Sequence, residues 1–254
     1  MINKKIVITA KEYQNFKEFI NKYKSSKVVE RNGKYYLNYK TEYEQEIDIQ
    51  PLIVNLLNVE DLRAIMQIID GSLEKTFKLV KDNFVNESSN DYQYVDENDR
   101  FNEIIMRVLY YSEINDIFDL FSNIFIQIIS SHKLKNGNKR FCFFFLINLL
   151  KDFGFYFKWS SNLKEKNSYQ QLQEREMFCF VSRLSNREYS DFIEALNDKE
   201  LELENEKNNI YKWCYNLIQE NDKNCTVKER QEKVKKNIKN WIIQNILIDV
   251  AKEF

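Results

Sequence analysis

One proline and four glycines in 254 residues constrain this chain more than any other feature. These two residue types most often end helices and make tight turns. Pro51 stands alone, and Gly33, Gly71, Gly137 and Gly154 are far apart, so the chain has few places to reverse sharply. Long helices joined by polar loops are expected, and the expected fold class is mainly α. Apolar periodicity agrees. Ile114, Ile117, Phe121, Ile124 and Ile128 recur with the helical period and predict an amphipathic helix over 113–131. Phe141–Leu150 is almost wholly apolar. It falls far short of the roughly 18 residues of a membrane span, so it reads as a buried helix. Gly154 is placed to end it.

Elsewhere the pattern is mixed. Lys11–Tyr23 has helical spacing. Residues 28–39 read as a hairpin, because Asn32-Gly33 sits between two apolar strands. Pro51 is expected to open a helix, with helical patterns over 52–58, 60–70 and 72–85. Residues 86–99 are polar and read as a loop, and 101–111 as a helix. A second polar loop is expected at 160–168, then helices at 169–184, 187–196, 200–221 and 226–251. In the last of these Val234, Ile238, Trp241 and Ile248 share a stripe that Asn245 interrupts. The apolar face is too wide for a coiled-coil seam and suits docking on its own domain. Three regions result: an N-terminal α+β extension (1–59), a helical core (60–196) and a C-terminal helical extension (197–254).

Net charge is −1 and the pI about 6.1, which gives no argument for a nucleic-acid partner. The basic run 228–239 reads as a solvated face. The N-terminus lacks the apolar core of a signal peptide, and no membrane partner is expected. Cys142, Cys179, Cys214 and Cys225 form no CxxC pair. With one histidine in the chain, a zinc site is not expected, and the pattern fits reduced thiols of a cytoplasmic protein.

That single histidine, His132, heads the run His132-Lys133-Leu134-Lys135-Asn136-Gly137-Asn138-Lys139-Arg140. Histidine exchanges protons near neutral pH, so it suits general-base work. A glycine flanked by two asparagines turns tightly. Lys139 and Arg140 then open the apolar helix. A helix N-terminus with adjacent cations is a natural cradle for phosphate. The bland alternative is a histidine at a helix end, interacting with the helix dipole.

The run resembles the signature of the Fic/Doc (Fido) family, His-x-Phe-x-Asp/Glu-Gly/Ala-Asn-Gly/Lys-Arg. His132, Gly137, Asn138 and Arg140 match its framework, and Lys139 matches the Doc branch. The resemblance extends over about 60–195 and is strongest at 113–154. It implies a Fido-type helical core and a protein-modifying transferase that uses ATP and Mg2+. His132 would be the catalytic base, and Asn136, Gly137, Asn138, Lys139 and Arg140 would bind nucleotide phosphate. Three positions depart from the pattern. Leu134 replaces Phe, a packing change. Asn136 replaces the magnesium-holding acid, and its neutral amide oxygen makes a weaker metal ligand. Phe143 stands where AMP-transferring members usually carry a second Arg. The Doc branch transfers the terminal phosphate, so phosphorylation of a hydroxyl on a target protein is favoured. AMP transfer and a degenerate domain that binds nucleotide or a partner without catalysis are the alternatives. The resemblance also implies a target-docking flap, with 86–100 a better positional match than the hairpin at 28–39. Ser190–Glu194 has the spacing of the family's self-inhibitory motif, but Ala195 breaks it. Inhibition would then fall to an antitoxin-like partner or to another element. The target and the oligomeric state are not encoded legibly.

Overall fold

The computed structural model describes residues 1–39, 43–84, 91–158, 176–177, 179–185, 217–218 and 220–248. It is mainly helical with a small sheet. Two compact units are present. The first holds Met1–Lys158 and Ile242–Phe254, and the second Trp159–Trp241. Residues 1–59 thus share a unit with the helices that follow them, and the boundary expected at 196 lies outside the described residues.

The first unit begins with strand β1 (Ile2–Thr9), where no strand was expected. The Ile6–Ile8 stretch is buried, as a strand covered on both faces must be. Thr9 ends it and caps helix α1 (Ala10–Gln14), and Glu12 completes a capping box. Asn15 (φ −124°, ψ 46°) then breaks the expected helix, so that α2 (Phe16–Tyr23) starts anew. The hairpin forms as expected. Strands β2 (Val28–Arg31) and β3 (Lys34–Tyr39) pair antiparallel, with Arg31 opposite Lys34. Asn32 and Gly33 both have positive φ, 52° and 77°, as a turn matched to strand twist requires.

Pro51 corrects the sequence reading. It opens no helix and lies inside strand β4 (Tyr43–Val54), opposite Ile6 of β1. The sheet order is β1-β4-β3-β2, with β1 and β4 parallel. The β3–β4 register ends at Ile47. Beyond it β4 has one strand neighbour, so a residue without an N–H is tolerated.

A second correction concerns Gly71. One helix, α3 (Val59–Phe84), runs through it. Glycine costs a helix interior only about 1 kcal/mol relative to alanine, which tertiary packing offsets. Helices α4 (Phe101–Tyr111), α5 (Ile117–Ser131) and α6 (Asn138–Asp152) follow. Helix α6 packs against α3 and α5, and α5 against α4. Phe141 of α6 lies 4.4 Å from Phe77 and stacks on Phe101 at 5.0 Å between centroids. Full burial of the Phe101 and Phe141 rings stabilises the unit by about 1.5–3 kcal/mol each.

The N-terminal elements fasten the start of α5. Asp116 caps that helix through the Asp119 N–H (2.8 Å) and pairs with Lys11 Nζ (3.0 Å). Buried Glu12 accepts both the Thr9 N–H (2.8 Å) and the Ile117 N–H (3.2 Å). Glu12→Ala leaves both donors unpaired and is expected to lower unfolding stability by about 1–3 kcal/mol. Urea unfolding measures this directly. A change under about 0.5 kcal/mol, the size of an ordinary surface substitution, would show that the carboxylate does not anchor α5.

After α6 the chain turns at Gly154 (φ 93°) into strand β5 (Phe155–Phe157). Its partner is β6 (Ile246–Ile248), again unexpected. Helix α7 (Val227–Gln244) therefore stops short of the expected 251. Asn245 turns the chain: its N–H bonds Ile242 O (3.0 Å), and its carbonyl accepts Lys158 N–H (2.8 Å). The asparagine that interrupted the apolar stripe is thus its end, and Ile248 lies on a strand.

In the second unit Arg183 and Asp222 form a buried bidentate pair (2.8 and 2.6 Å), and Arg230 Nε donates to Arg183 O. Val234, Ile238 and Trp241 are buried as expected. The expectation of reduced thiols holds for Cys142 and Cys225 and fails for Cys179, which is disulfide-bonded. Among the described residues no helix is long and apolar enough to cross a membrane. The segment 190–195 and most of the helices expected between 160 and 221 lie outside the described residues.

Candidate functional site

The run from His132 to Arg140 is the link between α5 and α6. His132 is the last residue of the α5 end and adopts a left-handed conformation (φ 47°, ψ 46°). Histidine is among the few types enriched there, yet the conformation still costs on the order of 1 kcal/mol. It turns the chain out of the helix and leaves His132 exposed. Its imidazole meets no hydrogen-bond partner among the described residues.

Five residues (133–137) lead from His132 to α6. Asn138 sets their shape. Its side chain accepts the Leu134 N–H (2.9 Å) and donates to the Leu134 carbonyl (2.6 Å). These two bonds fix the shape of the loop, and the amide keeps a second N–H and a second carbonyl lone pair. Leu134 is buried, at 2% exposure, and so fills a packing position. Lys133 pairs with Asp99.

Gly137 (φ 81°, ψ 9°) is the N-cap of α6 and offers no side-chain cap. The first turn of a helix leaves N–H groups without intrahelical partners, and the dipole places positive potential there. Lys139 is half-buried in this turn and Arg140 is exposed. Helix α6 is apolar nearly all round and packed in the core, so its N-terminus is held rigidly. Phe143, one turn on, is buried at 2% exposure and offers no charge to a ligand. Cys142 is buried too, and burial pushes its thiol far up, so it is no nucleophile.

Asn136 was the candidate metal ligand. Its Oδ1 accepts the Gly137 N–H (2.8 Å), and its Nδ2 donates to Asp91. The oxygen is turned towards its own helix. Among the described residues no group of three or more His, Cys, Asp or Glu could hold a metal ion. Among the described residues the loop therefore presents no preformed magnesium site.

Sequence reasoning places segment 91–95 within the polar stretch matched to a docking flap (86–100), and it does not foresee that this segment pairs with the motif loop. It lies antiparallel to the loop, with Tyr94 bridged to Leu134. Tyr92 N–H bonds Asn136 O (3.2 Å), Lys135 N–H bonds Gln93 O (2.9 Å), and Val95 N–H bonds Lys133 O (2.8 Å). Tyr94 packs on Phe77 and Phe101, and burial pushes its phenol up to about 12. Tyr92 lies against Gly137, and its hydroxyl accepts from Arg140 Nη1 (3.1 Å). Only the Tyr92-x-Tyr94 alternation in a polar stretch hinted at this, which is too short to read as a strand.

Compared with protein-family models, curated proteins and solved structures, the chain matches none.

Proposed function

We propose that the chain is an ATP-dependent protein-modifying transferase resembling the Fic/Doc family, with a target-protein hydroxyl as acceptor. One observation carries this reading. An exposed histidine ends α5, and a short, internally clamped loop leads from it to the N-terminus of a rigid buried helix that carries Arg140. In this reading the target hydroxyl attacks the γ-phosphorus of ATP. The new O–P bond forms, the bridging P–O bond breaks, and ADP leaves. His132 takes the hydroxyl proton. Arg140, Lys139 and the first turn of α6 neutralise charge developing on the phosphoryl oxygens. Asn136, Gly137 and Asn138 shape the turn, and magnesium arrives with the nucleotide. The burial of Phe143 supports phosphate over AMP transfer, because the site lacks a second cation one turn along α6. An antitoxin-like inhibitor would be the natural partner of such a toxin-like enzyme.

The purified chain is incubated with lysate and with γ- or α-labelled ATP. Label from the γ position alone is expected on a target protein, with one phosphate added by intact mass. Transfer of label from the α position would reverse the choice in favour of AMP transfer. No transfer from either, with magnesium in excess, would leave a nucleotide- or partner-binding module without catalysis.

A further inference from the structure

We infer that Asp91 and Tyr92 form an internal competitor for phosphate, so that the chain holds its own anion cradle closed. The inference rests on the nucleotide reading above and adds its regulation. Three contacts carry it. The Tyr92 ring lies so close to Gly137 that a Cβ built on that glycine would sit 2.4 Å from the ring. The hydroxyl of the same side chain accepts from Arg140 at 3.1 Å. One residue therefore spans the two groups that a phosphate would have to bridge, the turn before α6 and the guanidinium within its first turn. The third contact is Asp91 on the Asn136 amide, which sets a negative charge beside the loop. A carboxylate there opposes an incoming phosphate by like-charge repulsion.

This arrangement is built. Tyr92 is buried at 1% exposure, and its segment is fastened to the loop by three backbone hydrogen bonds. Tyr92 itself has φ 58°. A bulky residue in that region is an outlier, held only because its surroundings over-determine it. Release of the segment relieves that strain. A phosphate also makes a stronger, charge-assisted partner for Arg140 than a neutral phenol does. The closed state thus competes with the ligand without excluding it. Apparent affinity is the intrinsic affinity scaled by the fraction of open molecules, and anything that draws 91–95 away raises it.

The test uses the full chain and three proteins: the unaltered chain, Tyr92→Phe and Asp91→Asn. Each is titrated by calorimetry with ATP and, separately, with inorganic pyrophosphate, both without magnesium. Tyr92→Phe removes only the hydroxyl. It should tighten binding of both anions by about tenfold, the weight of one net hydrogen bond to a charged group. Asp91→Asn keeps an acceptor for Asn136 and removes the charge. It should tighten binding by about two- to threefold, with the gain shrinking as salt screens the charge. If Tyr92→Phe does not fold, Asp91→Asn carries the test alone. Equal or weaker ATP affinity in the variants, with ATP bound by the unaltered chain, overturns the competitor and leaves the nucleotide reading standing. Tighter pyrophosphate binding in the variants, with ATP bound by none of the three, upholds the competitor and removes the nucleotide reading. No binding of either anion to any of the three overturns both.

Discussion

His132→Ala is expected to lower the rate of phosphate transfer by about 10²–10⁴-fold, the usual cost of removing a general base. Unfolding stability should stay within about 1 kcal/mol, because changes at exposed positions away from packed or bonded features are small. The separation of the two effects follows from the surroundings of the side chain. It is exposed and meets no hydrogen-bond partner among the described residues, so its loss breaks no contact of the fold. ATP affinity should also persist, since the phosphate is assigned to the other end of the loop, at Arg140. Labelled transfer, thermal unfolding and calorimetric ATP titration of the same preparation separate the three quantities. Unchanged transfer would end the mechanism proposed here. A collapse of stability would show instead that the left-handed turn at 132 needs histidine for structural reasons.

The parts of this molecule that were legible in the sequence are those where local chemistry decides the outcome. Asn32-Gly33 specifies its hairpin because both residues tolerate positive φ. The 3.6-residue period of the α5 segment and the apolar run of α6 specify buried helices, and Gly154 ends α6 as expected. What stayed illegible was decided at long range. Strand β1 has a burial pattern set by a partner some 45 residues away, Ile2 against Ile47, and nothing local announces a parallel pairing. Pro51 is a helix-opening signal in isolation. It becomes a strand residue only because β3 ends before reaching it. Strand β6 exists because β5 is there to receive it.

The candidate site divides along the same line. The motif residues are contiguous, so their juxtaposition is given by the sequence order of two helices and a turn. Their engagement is not. That Asn138 spends its amide on Leu134, and Asn136 its amide on Asp91 and the Gly137 N–H, depends on loop geometry. Tyr92 reaches Arg140 across 48 positions of chain, and two alternating tyrosines in a polar stretch do not specify such a contact. A motif can therefore be recognised before it is known whether its groups are available to a ligand.

Gly154→Ala is expected to be the most damaging single methyl addition in the first unit. Two independent penalties meet there. The backbone stands at φ 93°, a conformation that alanine enters only with strain of roughly 1–3 kcal/mol. The added Cβ would also lie 2.4 Å from the carbonyl oxygen of Lys5 and 2.9 Å from Ile6 Cα. Those atoms belong to the backbone of β1, so no rotamer change relieves the clash. Either β1 moves or the turn after α6 does. The first threatens the Val7 N–H bond to Phe153 O (2.9 Å) and the pairing with β4. The second displaces β5 and its pairing with β6. Overpacking of this kind adds about 1–3 kcal/mol, so a total of about 3–5 kcal/mol is expected. Gly71→Ala is the matched control, because a Cβ there meets nothing within 4 Å and the helix continues through it. It should stabilise the chain by about 0.5–1 kcal/mol. Denaturant unfolding of the pair decides the matter. A loss below about 1 kcal/mol at Gly154, less than the backbone strain and the overpacking together require, would mean that β1 does not press on this turn.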